Sequence, residues 1–177
     1  MTAPYRAISL LILAVLGGCM EDAGQVVERY MEQSRHPLDR YLSQLGADTV
    51  SPLPRFDWPA GTLLCPTTPY QSSLHSRTPV ATRVNAFLKR KEFRGDEGHW
   101  SVVVVAPLSS GDGAIEHLIF KRGNYAVFTS PEMLGRDGPT LPAGFVQQEC
   151  VPVETGRVLA ARGRLYPKIV AFGVAGQ

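Results

Sequence analysis

Three cysteines and four histidines are the residues of this chain best suited to chemistry: Cys19, Cys65 and Cys150, with His36, His75, His99 and His117. A thiolate acts as nucleophile or metal ligand, and an imidazole as base or ligand, when spacing brings such groups together. No CxxC, HxH or HExxH pattern occurs, so a contiguous zinc motif is absent. There is no GxSxG elbow either, since Leu108-Ser109-Ser110-Gly111 falls in an expected turn rather than before a helix. Gly111-Asp112-Gly113 lacks the lysine and the following helix of a phosphate loop. Two arrangements stay open. Cys65 with His75 would make a thiol–imidazole dyad if Cys65 were unpaired. His99 and His117, at the edges of two strands expected to be neighbours, would make a metal or catalytic pair. The carboxylates Asp96, Glu97, Glu116 and Glu149 lie in or near the same region without a spacing that pairs them, and Glu149 reads as solvent-facing in an alternating strand. No catalytic residue, metal ligand or cofactor is expected.

Cys19 has a different context. Arg6 is followed by the apolar run Ala7 to Leu16, then by Gly17 and Gly18. That run is about half of the roughly 20 residues that a membrane-crossing helix requires, which favours a cleaved export signal. Leu16-Gly17-Gly18-Cys19 resembles the lipobox of bacterial lipoproteins. The resemblance covers only the first twenty residues. It implies a diacylglyceryl group on the Cys19 sulfur, cleavage just before that residue, and a further acyl chain such as palmitate on the freed amine. Two or three chains hold a protein on a membrane far better than one. The implied location is the periplasmic face of the envelope. Met20, standing where inner-membrane lipoproteins often carry Asp, favours the outer membrane.

With Cys19 assigned to lipid, Cys65 and Cys150 remain, and an oxidising compartment favours a disulfide between them. Removal of residues 1–18 leaves 159 of 177 residues, with 17 basic and 16 acidic side chains and a formal net charge of +1. A near-neutral chain gives no electrostatic argument for nucleic acid. The expected organisation is a signal peptide over 1–18, a lipidated tether over 19–25, and a single periplasmic domain over 26–177.

The elements that position these residues follow from periodicity and punctuation. Val26, Val27, Tyr30 and Met31 share one helical face, as do Leu38, Tyr41, Leu42 and Leu45 after His36-Pro37, so two short amphipathic helices are expected. A proline-rich loop over 47–61 carries Phe56 and Trp58. Thr62–Cys65 reads as a short strand ended by Pro66. Thr78-Pro79 opens a helix in which Val80, Val84, Phe87 and Leu88 share a face, with Lys89-Arg90-Lys91 in its last turn; the alternation of Val80, Thr82 and Val84 allows a strand instead. From Trp100 the pattern turns to β. Val102–Val105 suits a central strand, and Ile115–Phe120 and Tyr125–Thr129 flank a hairpin turn at Lys121–Asn124. A long loop spans Pro131 to Pro142, and Phe145–Val153, Arg157–Ala161 and Lys168–Phe172 are further strands. The fold class is α+β, with short N-terminal helices followed by an antiparallel sheet of four to six strands.

Trp58, Lys89, Arg90, Lys91 and Arg94 are the candidate interaction surface, and Trp100 is a second tryptophan able to line a groove. A chain fixed to a membrane, and lacking a catalytic motif, is expected to be a non-catalytic module that binds another protein. It would serve as a component of an envelope assembly or as a toxin inhibitor or immunity protein. Two other readings are a small envelope hydrolase with a non-contiguous site and a cradle for a small or lipidic ligand.

Overall fold

The computed structural model describes residues 36–107, 114–137 and 140–176. The lipobox with Cys19, the tether, the first amphipathic stretch and the Ser109–Gly113 turn lie outside these residues. Three helices are described, α1 (Pro37–Gln44), α2 (Pro79–Arg90) and α3 (Pro131–Asp137). The strands are β1 (Thr49–Pro52), β2 (Leu63–Thr67), β3 (His99–Val105), β4 (Ile115–Lys121), β5 (Ala126–Phe128), β6 (Phe145–Gln147), β7 (Val151–Pro152), β8 (Gly156–Ala161) and β9 (Ile169–Ala175).

The strands divide between two sheets, one in the order β4-β3-β2-β7 and one in the order β1-β8-β9, with β5 and β6 end to end along the far side of β9. All pairings are antiparallel except β5 with β9. The fold is thus α+β and mostly antiparallel sheet. Because side chains alternate across a strand, Leu64, Val102, Val104 and Phe120 face Val127, Val158, Val170 and Phe172 in the core between the sheets. The opposite face of β2 and β3 presents Cys65, Val103 and Val105, which α2 covers with Ala81, Val84, Phe87 and Leu88. On the outer face of the second sheet, Leu134 and Met133 of α3 pack with Phe145 of β6, Leu159 and Ile169. Burial on both faces explains why Val102–Val105 is an unbroken apolar run rather than an alternating one.

Helix α2 forms where its punctuation places it. Thr78 Oγ1 accepts the Ala81 N–H at 3.2 Å, and Pro79 opens the first turn. Helix α1 is capped by an imidazole instead, His36 Nδ1 accepting the Leu38 N–H at 3.1 Å. Leu38 and Leu42, one turn apart, are fully buried.

Four expectations are corrected. Strand β2 runs through Pro66 to Thr67, since β7 pairs only with Leu63 and Leu64 and leaves one side of β2 open where proline is tolerated. Residues 115–129 are not a hairpin. The Arg122 N–H bonds back to Gly98 O at 2.7 Å, extending the β3–β4 ladder, and the chain then crosses to pair β5 in parallel with β9. The 131–142 loop contains α3. The Phe145–Val153 stretch is two strands, β6 in one sheet and β7 in the other. Gly173 permits that arrangement, because a Cβ there would fall on the Val146 carbonyl oxygen and the Phe145 ring.

Candidate functional site

The described surface is indented where β2 leaves its sheet and β5 enters the other. A cavity of about 210 Å3 opens there, bounded by Thr68–Tyr70, Trp100, Arg122, Tyr125–Phe128, Met133 and Tyr166. Its floor is set by the sheets. Trp100, at the start of β3, stacks on Phe120 with ring centroids 4.6 Å apart and meets Tyr125 edge-on at 5.7 Å. The Trp100 indole N–H is buried beside the Tyr125 hydroxyl without completing a hydrogen bond. That hydroxyl donates to Asp39 Oδ1 of α1. Burial and the Asp39 interaction push the Tyr125 phenol pKa up, so the phenol stays protonated and donating; burial also raises the Asp39 carboxyl pKa.

The rim comes from three loops. Tyr70 is 66% exposed, with a left-handed backbone at φ 64°. Its neighbourhood depends on Gly95, where a Cβ would lie 2.8 Å from the Tyr70 nitrogen. Gln71 fixes the loop behind it, its Oε1 accepting from the Thr68 N–H, the Thr68 hydroxyl and the Thr129 hydroxyl. Also on the lining, the Arg122 guanidinium lies 5.3 Å above the Tyr166 ring, which meets Phe128 edge-on. Glu97 takes the Tyr70 hydroxyl at 3.3 Å. No ion pair joins Arg122 to a carboxylate among the described residues. Leu165, beside Tyr166 in the chain, is 68% exposed.

The arrangement therefore offers flat apolar walls and one cation at the mouth. Ligand sites combine an apolar lining with a few placed polar groups in this way. The volume is below the roughly 300–1,000 Å3 of clefts that enclose drug-sized ligands. A cavity of about 150 Å3 already holds a benzene ring.

The residues singled out by chemistry fall elsewhere. Cys65 and Cys150 are joined, with an S–S distance of 2.05 Å. The Cys65–His75 dyad is thereby ruled out. Glu149 is not solvent-facing in a strand. Its two oxygens accept the backbone N–H groups of His75 and Ser76 at 2.7 Å each, and although burial opposes it, those bonds hold its pKa below the ordinary value. His99 and His117 do not meet, since His99 stands opposite Lys121 and His117 opposite Val103 in the β3–β4 register. His99 Nδ1 is 2.7 Å from Asp96 Oδ1. His117 Nε2 is 2.8 Å from Ser101 Oγ, a serine–histidine contact that sequence spacing did not single out. Ser101 is 1% exposed, so its hydroxyl has no surface from which to attack a substrate. Among the described residues no cluster of three metal-ligating side chains occurs.

The candidate interaction surface is split. Trp58 is half-buried, stacked on His36 at 5.8 Å and packed with Phe56 against the inter-sheet core. Lys89, Arg90, Lys91 and Arg94 are exposed at the end of α2, the helix that covers the β4-β3-β2-β7 sheet, with Lys91 Nζ 5.2 Å above the Phe87 ring. Trp100 lines the cavity together with Arg122 and Tyr166, which the sequence marks only faintly, as a cation inside a turn segment and an aromatic before a proline. No protein-family model matches the chain, nor does any curated protein or solved structure.

Proposed function

We propose that the chain is a lipoprotein of the bacterial envelope, anchored by acyl chains on Cys19 at the periplasmic face of the outer membrane. Its domain acts there as a non-catalytic module that binds another protein, in an envelope assembly or as a toxin inhibitor or immunity protein. The observation that carries this reading is the contrast between buried chemistry and exposed contact surface. Ser101 and Cys65 are buried, Cys65 beneath α2, whereas Tyr70 stands exposed on the lining of an aromatic cavity and Leu165 is exposed next to the lining residue Tyr166 in the chain. Tyrosine is among the side chains that most often anchor protein–protein contacts. The Cys65–Cys150 disulfide supports an oxidising compartment and leaves Cys19 as the one cysteine available for lipid.

Two measurements test the reading in cells. Cys19→Ser should abolish fatty-acid labelling and leave unprocessed precursor; mature-sized protein without label would refute the anchor. A photo-crosslinking residue at position 70 should trap a discrete protein adduct that Leu165→Ser weakens at least tenfold. The same probe at Val50, on the opposite edge strand of the larger sheet, should trap none. Equal adducts at both positions, or none at position 70, would refute the binding module.

A further inference from the structure

We propose that the Trp100–Arg122 cavity is a recognition site for an aromatic carboxylate: a flat ring held between aromatic walls, with its carboxylate on the Arg122 guanidinium. This ligand chemistry goes beyond the protein-binding reading above and stands on the cavity itself. Size selects the ring. A site of about 210 Å3 exceeds the roughly 150 Å3 that accommodates benzene, so it suits a fused bicycle or a ring with a short arm and excludes a long acyl chain. The walls select flatness, since the Trp100, Tyr125 and Tyr166 rings offer faces and edges to a stacked or edge-on guest. Charge selects the anion. Arg122 lines the cavity, is held over Tyr166, and has no ion pair among the described residues, leaving its donor fork for a carboxylate. Such a group occurs in free aromatic acids and at the C-terminus of a protein ending in an aromatic residue.

The test uses the full chain in detergent micelles with its two tryptophan indoles labelled with 15N, so that Trp58 serves as an internal control for Trp100. Indole-3-acetate should shift the Trp100 indole signal saturably, with Kd at or below about 1 mM, and leave Trp58 in place. Indole-3-acetamide on the same protein, and indole-3-acetate on Arg122→Gln, should each bind at least tenfold more weakly. A short peptide ending in a free tryptophan carboxylate distinguishes the sources. Tighter binding than indole-3-acetate assigns the site to a protein C-terminus, and weaker binding assigns it to a free acid; both support the site. No shift of Trp100, or equal binding of acid and amide, would overturn it. That failure would leave the crosslink at position 70 standing, so the two readings fail separately.

Discussion

His117 Nε2 lies 2.8 Å from Ser101 Oγ, and Ser101 Oγ in turn lies 2.6 Å from Thr67 Oγ1, so one polar chain links three neighbouring strands. The Phe93 ring meets the imidazole edge-on at 4.5 Å. Burial, with help from the Lys91 charge, pushes the His117 pKa down to about 4. The imidazole is therefore neutral through most of the physiological range and acts as a buried hydrogen-bonding group.

A stability profile against pH follows from that shift. Between about 4 and 6.5 the unfolded chain binds the His117 proton and the folded chain does not. Stability from this group is complete above pH 6.5 and is lost as pH falls toward 4. The loss should be of the order of 3 kcal/mol. Urea midpoints at pH 7, 5.5 and 4 measure it, and His117→Gln should flatten the profile over that window. An unchanged slope in the variant would assign the acid sensitivity to other groups.

The end of α2 carries a local conflict. Glu92 follows the helix with a left-handed backbone at φ 50°, while its N–H bonds to Lys89 O and the Phe93 N–H bonds to Leu88 O. This is the Schellman geometry, in which glycine is the favoured residue. A side chain there costs roughly 1–2 kcal/mol, part of which glycine returns through its freer unfolded state. Glu92→Gly should stabilise the protein by about 0.5–1 kcal/mol in urea titration. Glu92→Ala, which keeps the Cβ, should not; an equal gain from alanine would point to charge rather than backbone.

The Cys65–Cys150 disulfide closes a separation of 85 residues and ties β2 to the segment entering β7. Constraining so long a loop contributes about 4–5 kcal/mol by the chain-entropy argument. The Cys65→Ala/Cys150→Ala double substitution should lower stability by about 2–5 kcal/mol. Reductant should then have no further effect on the variant while bringing the wild type down to match it. A wild type whose stability ignores reductant would contradict the assignment.

Much of this architecture was legible in the chain. Thr78-Pro79 announced α2 because a hydroxyl cap and an N1 proline act locally. The Cys65–Cys150 pairing followed once Cys19 was set aside. The 115–129 hairpin failed for a physical reason: Lys121–Asn124 has turn residues, but nothing local says which sheet the next strand joins. Ala126-Val127-Phe128 carried the better signal, since three consecutive apolar residues suit a strand buried on both faces and paired in parallel. The cavity was hidden for the same reason. Tyr70, Trp100, Arg122 and Tyr166 lie in separate segments, and only the crossover from β4 to β5 brings them together.

Lys168 shows how that end of the fold is fastened. Only 9% exposed, it directs Nζ to the carbonyl oxygens of Leu42, Ser43 and Leu45 at 3.2, 2.5 and 3.2 Å. A cation is thereby placed on the negative end of α1, where the last carbonyls lack helical partners. Nζ also lies 5.8 Å above the Tyr125 ring, linking the helix to the cavity floor. Lys168→Met keeps much of the apolar stem and removes the donor, leaving three carbonyls without it, so it should cost about 1–3 kcal/mol. Burial lowers the Lys168 pKa below 10.5. Across the window between that lowered value and 10.5 the unfolded chain binds the proton that the folded chain has released, so this group makes wild-type stability rise with pH. The methionine variant lacks that rise. The gap between the two proteins should therefore widen as pH rises toward 10.5; a gap that narrows there would mean that the ammonium gains more from the three carbonyls than burial takes away.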